Sequence, residues 1–112
     1  MDCLFCKIVA GEIPSREVYR DERCYAFGDI NPQAPVHFLV VPREHIKSTA
    51  EAAEDHAELL GRLLLTGAKI ARDKGLGDGY RVVINTGRDG GQTVDHLHVH
   101  ILGGRHMTWP PG

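Results

Sequence analysis

Three histidines alternate with apolar residues in the segment His96-Leu97-His98-Val99-His100-Ile101-Leu102. The intervening residues are apolar and largely β-branched, which favours a strand over a helix. Because strand side chains alternate between faces, the three imidazoles would share one face, and Leu97, Val99 and Ile101 would occupy the opposite, buried one. Neighbouring imidazoles would then lie roughly 7 Å apart.

Three histidines on one strand face allow three interpretations. They can form the exposed polar face of an edge strand, bind a metal, or carry out phosphate chemistry. Burying three imidazoles is costly unless they bind something, and this favours the last two interpretations.

Length and charge exclude several classes of protein. The 112 residues are sufficient for one domain with one core, so residues 1–112 are predicted to form a single domain. A net charge of −2 without a basic run argues against nucleic-acid binding. The longest apolar stretch, near Phe38 to Val41, is too short to span a membrane. The segment Met1-Asp2-Cys3 does not resemble a signal peptide, so we expect a cytoplasmic location and reduced cysteines.

The order of predicted elements indicates an α+β domain. The only long helix is expected over Glu54 to Lys74, with a core stripe of Ala57, Leu60, Leu64, Ala68 and Ala71. The connections between the first strands are too short for parallel crossovers, so the sheet should be antiparallel. A short helical or irregular lead-in is expected over Asp2 to Ala10, and strands over Val18 to Arg20, Cys24 to Asp29, His37 to Val41, Tyr80 to Asn85 and His96 to Leu102.

A glycine-rich loop, Thr86-Gly87-Arg88-Asp89-Gly90-Gly91-Gln92-Thr93, precedes the histidine strand. Such a loop lets backbone N–H groups approach an anion. Its glycines can equally serve only to supply positive φ angles in a hairpin.

Together the spaced histidines, this loop, the segment 29–38 and the ending 103–112 resemble the histidine-triad family, in its branch of nucleotide-binding Hint-type proteins. The resemblance extends over nearly the whole chain. It implies a five-stranded antiparallel sheet with one long helix and a homodimer with a continuous ten-stranded sheet. It further implies hydrolysis of purine nucleoside monophosphate derivatives, above all phosphoramidates, through a nucleotidyl-histidine intermediate.

The resemblance also assigns roles to individual residues. His98 matches the nucleophile, because a neutral imidazole can attack phosphorus without a metal. His100 and His37 match positions that bind the phosphate and pass a proton to the leaving group. His96 has a supporting role, in which its main-chain surroundings are expected to fix the tautomer of His98. Asp29 matches the ribose-binding carboxylate, although it can equally be a turn-initiating residue. Other matching positions are the apolar base slot of Leu4, Phe5, Ile8, Phe27 and Ile30, the phosphate-side residues Asn85, Gln92 and Thr93, and Trp109, which lines the partner's leaving-group side.

The pair Cys3-Leu4-Phe5-Cys6 indicates either zinc or redox chemistry. A redox motif would normally lie in a βαβ unit, which is not predicted here. The resemblance to zinc-carrying members of the family adds His45 and His96 as the other two ligands of a tetrahedral site. Because many relatives lack the cysteines, this zinc is expected to be structural, with no cofactor needed for catalysis.

Two other functions remain open at this point. The chain can be a dinucleoside polyphosphate hydrolase, which the ending Trp109-Pro110-Pro111-Gly112 makes less favoured. It can also be a nucleotide sensor or scaffold dimer in which hydrolysis is incidental.

Overall fold

The computed structural model describes residues 2–112, and Met1 lies outside the described residues. The chain begins with a short helix, continues with three strands, crosses the sheet with a long helix and ends with two further strands. These elements are α1 (Leu4–Val9), β1 (Glu17–Arg20), β2 (Cys24–Gly28), β3 (Val36–Pro42), α2 (Ala57–Asp73), β4 (Tyr80–Val83) and β5 (Val99–Gly103).

All five strands form one antiparallel sheet in the order β1-β2-β3-β5-β4. The predicted α+β class, with five antiparallel strands and one long helix, is therefore confirmed. The last strand, β5, pairs with β3 on one side and β4 on the other, which places His100 opposite Leu39 and Val83. His100 therefore lies on an interior strand of the sheet and not at its edge.

The sheet separates two apolar clusters. On one face, α2 packs over Phe38, Val40, Val99 and Ile101. On the other face, α1 packs over residues of β2 and β3 that include Tyr25, Phe27, Leu39 and Val41. Leu97, Val99 and Ile101 all belong to the α2 cluster, as predicted. Strand alternation then directs His100 to the α1 face.

The predicted start of the last strand is wrong. The strand β5 begins at Val99, so His96 and His98 lie in an irregular segment before it. Within this segment the Leu97 N–H donates to the Ile46 carbonyl, and the Pro42 carbonyl lies 2.9 Å from His96 Nε2. Because the Leu97 N–H and the Pro42 carbonyl are used in these contacts, they do not take part in the pairing of β3 with β5, and β5 begins only at Val99.

The predicted core stripe of the long helix is also out of phase. The buried positions are Leu59, Leu63, Thr66, Gly67, Ile70 and Ala71, so only Ala71 of the predicted stripe is fully buried. The run Leu63-Leu64-Leu65 is compatible with several buried faces of the helix. Gly67 determines which face lies against the sheet. A Cβ atom at Gly67 would lie 2.9 Å from Ile101 Cδ1, so glycine permits a close approach of helix and sheet. Leu65 is left 73% exposed.

Other boundaries differ by a few residues. The helix starts at Ala57, because Glu54–His56 forms a 3₁₀ turn before it. The strand predicted over Tyr80 to Asn85 ends at Val83. Among residues 2–112, neither helix has the length and apolar character needed to cross a membrane.

Candidate active site and metal cluster

Three imidazoles, those of His37, His98 and His100, lie side by side on the α1 face of the sheet. The ring centroids of His98 and His100 are 4.9 Å apart, and those of His37 and His100 are 5.2 Å apart. His37 comes from β3 and His100 from β5, whereas His98 immediately precedes β5. The fold thus brings together three of the four histidines predicted to carry the chemistry, and each is close to the next.

His98 is held in one tautomer by the main chain. Its Nδ1 lies 2.7 Å from the carbonyl oxygen of His96, which can only accept a hydrogen bond. Nδ1 must therefore carry the hydrogen, and neutral His98 presents an unprotonated Nε2. The ring is buried, and the ring of Phe5 packs against it edge to face at a centroid distance of 5.1 Å. These contacts fix the orientation of the ring and, in the neutral form, leave its lone pair on Nε2, as an imidazole nucleophile would require.

The other two imidazoles form a hydrogen-bonded pair. His37 Nε2 lies 3.0 Å from His100 Nδ1 and 3.4 Å from Asp29 Oδ2. Burial lowers the pKa of His100 to about 4, with further lowering by the neighbouring His98 and His37. Burial also lowers the pKa of His37, although the Asp29 carboxylate acts in the opposite direction. Both rings are therefore neutral at physiological pH in the absence of a bound anion.

Asp29 stands at the end of the sheet beside this pair. One of its carboxylate oxygens accepts the N–H of Asn31, which is a turn-initiating contact, and the other faces His37. Both interpretations of Asp29 offered by the sequence, as a turn residue and as a polar residue of the site, are compatible with this geometry.

The predicted base slot divides into two groups. Phe5, Ile8 and Phe27 are buried in the α1 cluster, whereas Leu4 and Ile30 are exposed, Ile30 to 95%. The exposed pair is available to a ligand without any rearrangement of the core.

The glycine-rich loop is braced by Gln92. Its side-chain Nε2 donates to the carbonyls of Lys47 and Val94, and its Oε1 accepts the N–H of Gly87. The side chain of Gln92 thus holds the loop in shape in this structure. Thr93 is exposed, Asn85 is half-buried, and Trp109 is 82% exposed in the single chain.

A second cluster is formed by four side chains with possible metal-ligand atoms, those of Cys3, Cys6, His45 and His96. The Nδ1 atoms of His45 and His96 are 3.2 Å apart, and Cys6 Sγ lies 3.4 Å from the first and 3.5 Å from the second. Cys3 Sγ is 3.3 Å from His96 Nδ1. Tetrahedral zinc with its usual bond lengths requires separations of about 3.5 Å between N and S and about 3.3 Å between two N atoms. The four side chains predicted as ligands therefore fit a structural zinc ion.

The second nitrogen of His96 supports this assignment. Its Nε2 lies 2.9 Å from the Pro42 carbonyl oxygen, an acceptor, so Nε2 carries the hydrogen and Nδ1 is left as a ligand. Burial lowers the pKa of His96, which favours the neutral ring that a metal requires. Because the side chain is fully buried and both nitrogens are engaged, His96 reaches the active site through its carbonyl group, which holds His98.

Two contributors to the site are main-chain groups that residue types could not reveal. The Pro42 carbonyl orients His96, and the Gln33 N–H donates to His37 Nδ1 at 3.0 Å. Any residue has a carbonyl and nearly any residue has an N–H, so the sequence carries no signal for either contact.

Known proteins resemble this chain over almost its full length. A 14 kDa zinc-binding protein of Zea mays is 54% identical over 111 residues, covering 97% of this chain and 87% of the maize protein. The crystal structure of a HIT family hydrolase from Legionella pneumophila superimposes with a TM-score of 0.97 at 50% identity, covering 99% of this chain and all of that one. A histidine triad nucleotide-binding protein from Candida albicans gives a TM-score of 0.82 at 32% identity, covering 99% and 85%.

The sequence model of the HIT domain matches residues 10–107, which span every described strand, the long helix and the three histidines of the candidate active site. The expected resemblance is thereby confirmed, and the chain belongs to the HIT domain family.

Proposed function

We propose that this protein is a hydrolase of nucleoside monophosphate derivatives that cleaves P–N bonds of purine nucleoside phosphoramidates. The observation that carries the proposal is the fixed tautomer of His98, whose Nδ1 is bound to the His96 carbonyl at 2.7 Å. In its neutral form an imidazole held in this tautomer has its lone pair on Nε2, and such a nitrogen can attack phosphorus. Two of the similar proteins are described as a hydrolase and as a nucleotide-binding protein, which supports the class of reaction.

The proposed reaction has two steps. In the first, the lone pair of His98 Nε2 attacks the α-phosphorus, the P–N bond breaks, and the amine leaves with a proton supplied from the His100 and His37 pair. In the second, water attacks the same phosphorus, the phosphorus–His98 bond breaks, and the nucleoside monophosphate is released. The pair can take the proton back from the attacking water, which returns the site to its starting state.

The remaining site residues are proposed to hold the nucleotide. Asp29 accepts hydrogen bonds from the ribose hydroxyls, and the base lies against Leu4 and Ile30 above the buried residues Phe5, Ile8 and Phe27. Asn85, Gln92 and Thr93 are proposed to contact the phosphate side. The side-chain amide of Gln92 already bonds Gly87 and Lys47. To contact the phosphate, Gln92 must break these hydrogen bonds or share them with the ligand.

The test of the proposal is a comparison of kcat/KM on an adenosine phosphoramidate and on a diadenosine polyphosphate. We expect the phosphoramidate to be preferred by about 100-fold or more, because the site described here provides for one nucleoside and one α-phosphate. A preference for the dinucleotide would favour the alternative hydrolase. Binding of adenosine monophosphate without turnover of either compound would favour a nucleotide sensor or scaffold.

Phosphate binding should be accompanied by proton uptake. Burial lowers the pKa of His100 to about 4, so at about pH 5.5 the ring is neutral in the ligand-free protein. An anionic phosphate next to the ring favours the charged form and raises this pKa. Adenosine 5′-methyl phosphate, whose single negative charge has no pKa in this range, should therefore bind with proton uptake by the protein at about pH 5.5, and the uptake should decline towards pH 8.

Calorimetry in two buffers with different ionisation enthalpies measures this uptake directly. Adenosine, which lacks the phosphate, is the matched control and should bind without uptake. Equal apparent enthalpies for the methyl phosphate in both buffers would contradict the proposed contact between the phosphate and His100.

A homodimer is expected from the surfaces that one chain leaves exposed. The strand β4 is an edge of the sheet with Tyr80 and Val82 partly exposed, and Leu64 and Leu65 are exposed on α2. A two-fold contact through β4 would join two sheets into one and cover these side chains. Light scattering at micromolar concentration should give twice the chain mass, whereas a monomer would contradict the expectation. The proposed place of Trp109 in the partner's site depends on this dimer.

A further inference from the structure

The loop of residues 29–35, here called the proline loop, connects β2 to β3 and is fastened at three points. Asp29 Oδ1 accepts the N–H of Asn31 at 2.8 Å. The N–H of Gln33 donates to His37 Nδ1 at 3.0 Å. On the other side, Arg105 donates to the carbonyl oxygen of Gln33 through both Nε, at 3.2 Å, and Nη2, at 3.0 Å.

The Gln33 N–H decides which nitrogen of His37 carries the hydrogen. A neutral imidazole has one N–H, and Nδ1 is already an acceptor, so the hydrogen is on Nε2. His37 Nε2 is then the donor to His100 Nδ1, at 3.0 Å. It follows that neutral His100 carries its own hydrogen on Nε2, the nitrogen on the far side of the ring from His37.

The bond from Gln33 to His37 also argues against a metal ion bound by Asp29, His37 and His100. Asp29, His37 and His100 have ligand atoms within 4.8 Å of one another, a spacing that a metal ion would also require. A metal would need the lone pair of His37 Nε2, and the bond from Gln33 keeps a hydrogen there. The arrangement favours a chain of hydrogen bonds over a second metal site.

We propose that Arg105 is a positioning residue for proton transfer. By fastening the proline loop through the Gln33 carbonyl, it keeps the Gln33 N–H on His37 Nδ1 and so fixes the tautomers of both His37 and His100. This inference rests on the proposed function, because a fixed N–H on His100 Nε2 matters only if a leaving group receives a proton there. Arg105 is exposed and needs no contact with the substrate to act in this way.

The proposal predicts a particular split between kinetic constants. Arg105→Ala should lower kcat on the adenosine phosphoramidate by about 3- to 10-fold, because only a fraction of molecules would hold the productive tautomers. KM should change less than 2-fold, roughly, because the ribose and base contacts remain. Arg105→Lys, which restores one donor to the carbonyl, should recover part of the loss.

The decisive readout is the tautomer itself. Two-bond ¹⁵N–¹H correlation spectra of the zinc-loaded, histidine-labelled full chain distinguish a protonated ring nitrogen from an unprotonated one. At about pH 7.5, where burial keeps both rings neutral, wild-type His37 should be protonated only on Nε2. Arg105→Ala should give a mixture of tautomers for His37 and for His100.

Two further variants test the main-chain contact. Gln33→Pro deletes the N–H itself and should shift the tautomer more than Arg105→Ala, whereas Gln33→Ala keeps the N–H and should retain the wild-type tautomer. Arg20→Ala removes another exposed arginine, on β1, whose partner is Glu17, and should leave kcat unchanged. If circular dichroism shows Gln33→Pro to be unfolded, the decision rests on Arg105→Ala.

The outcomes separate the inference from the proposed function. A wild-type tautomer in Arg105→Ala overturns the inference whether or not kcat falls, because any loss of rate would then have another cause. A tautomer mixture with reduced kcat and recovery in Arg105→Lys supports it. If the wild-type protein turns over no phosphoramidate, the proposed function fails, while the spectra still show whether Arg105 fixes the tautomers.

Discussion

Replacing His98 with alanine is expected to lower turnover of an adenosine phosphoramidate by about 10³-fold or more. The variant loses the only imidazole of the site whose Nδ1 donates to a main-chain carbonyl, which in the neutral ring leaves the lone pair on Nε2. His100 and His37 cannot substitute for it, because their facing nitrogens are engaged with each other at 3.0 Å. Single-turnover and steady-state rates on the same substrate measure the loss.

Binding should survive this change, because the nucleophile is separate from the residues proposed to hold the ribose and base. The Kd for adenosine monophosphate should change by less than about 10-fold in His98→Ala. The wild-type protein quenched during turnover should carry an acid-labile adenylyl group, and the variant should carry none. His106→Ala, which removes an exposed imidazole near the C-terminus, is the matched control and should keep its activity.

Near-normal turnover in His98→Ala would remove His98 from the mechanism. An adenylyl group on His100 in the variant would show instead that the neighbouring imidazole is the nucleophile. Loss of both turnover and monophosphate binding, with an intact circular dichroism spectrum, would mean that His98 holds the ligand and is not a separate reacting group.

The periodicity of apolar residues predicted which helices and strands form better than it predicted the residues at which they begin and end. The alternation of Leu97, Val99 and Ile101 with histidines predicted which face is buried, because a strand has only two faces and the apolar residues must take the inner one. The same alternation could not reveal that the strand begins at Val99. That boundary depends on Ile46 and Pro42, which are distant in sequence and compete for the hydrogen bonds of the segment.

The helix shows where hydrophobicity fails as a guide to burial. A stripe chosen from the leucines and alanines missed Thr66 and Gly67, which lie against the sheet, and included Leu64, which is exposed. Close packing on Ile101 required a residue without a side chain, and a scale that rewards apolar volume cannot predict such a position.

The candidate site was predictable in its side chains, and only in small part in its main chain. Because the chemistry needs imidazoles and thiols, residue types identified the histidines and the Cys-x-x-Cys pair. The main chain at His96 was expected to fix the tautomer of His98, and it does so. The tautomers of His96 and His37 depend on the Pro42 carbonyl and the Gln33 N–H, which only the folded structure brings into contact with them. Arg105 is one of several exposed arginines in the sequence, and nothing but its contact with the Gln33 carbonyl distinguishes it.

The zinc cluster adjoins the proposed substrate site through His96, and the metal is expected to affect stability more than chemistry. Purified protein should contain one zinc per chain, held by Cys3, Cys6, His45 and His96. Burial, together with the adjacent Cys3, raises the pKa of the Cys6 thiol to about 11 in the metal-free chain. Because zinc binds the thiolate, binding must release this proton, so zinc affinity should fall as the pH decreases.

The double variant Cys3→Ser, Cys6→Ser should lose the metal and lower the free energy of unfolding by about 3 kcal/mol, which corresponds to a decrease in Tm of roughly 10 to 15 °C. We expect the loss to be smaller than the full zinc-binding energy, because two apolar clusters also stabilise the fold. Cys24→Ala removes a buried cysteine outside the cluster and should keep one zinc per chain. Metal analysis and thermal unfolding with and without a chelator measure both effects.

Activity in the double variant distinguishes a structural from a catalytic metal. His96 connects the two sites, because its imidazole belongs to the cluster while its carbonyl holds the Nδ1–H of His98. That carbonyl contact can persist without zinc, since the Pro42 carbonyl still orients the ring of His96. Turnover measured well below the lowered Tm should therefore remain within about 10-fold of the wild type. Complete loss of turnover in a folded double variant would show that the cluster is needed for the reaction, and a wild-type protein that contains no zinc and keeps its Tm in a chelator would show that the cluster is not a metal site.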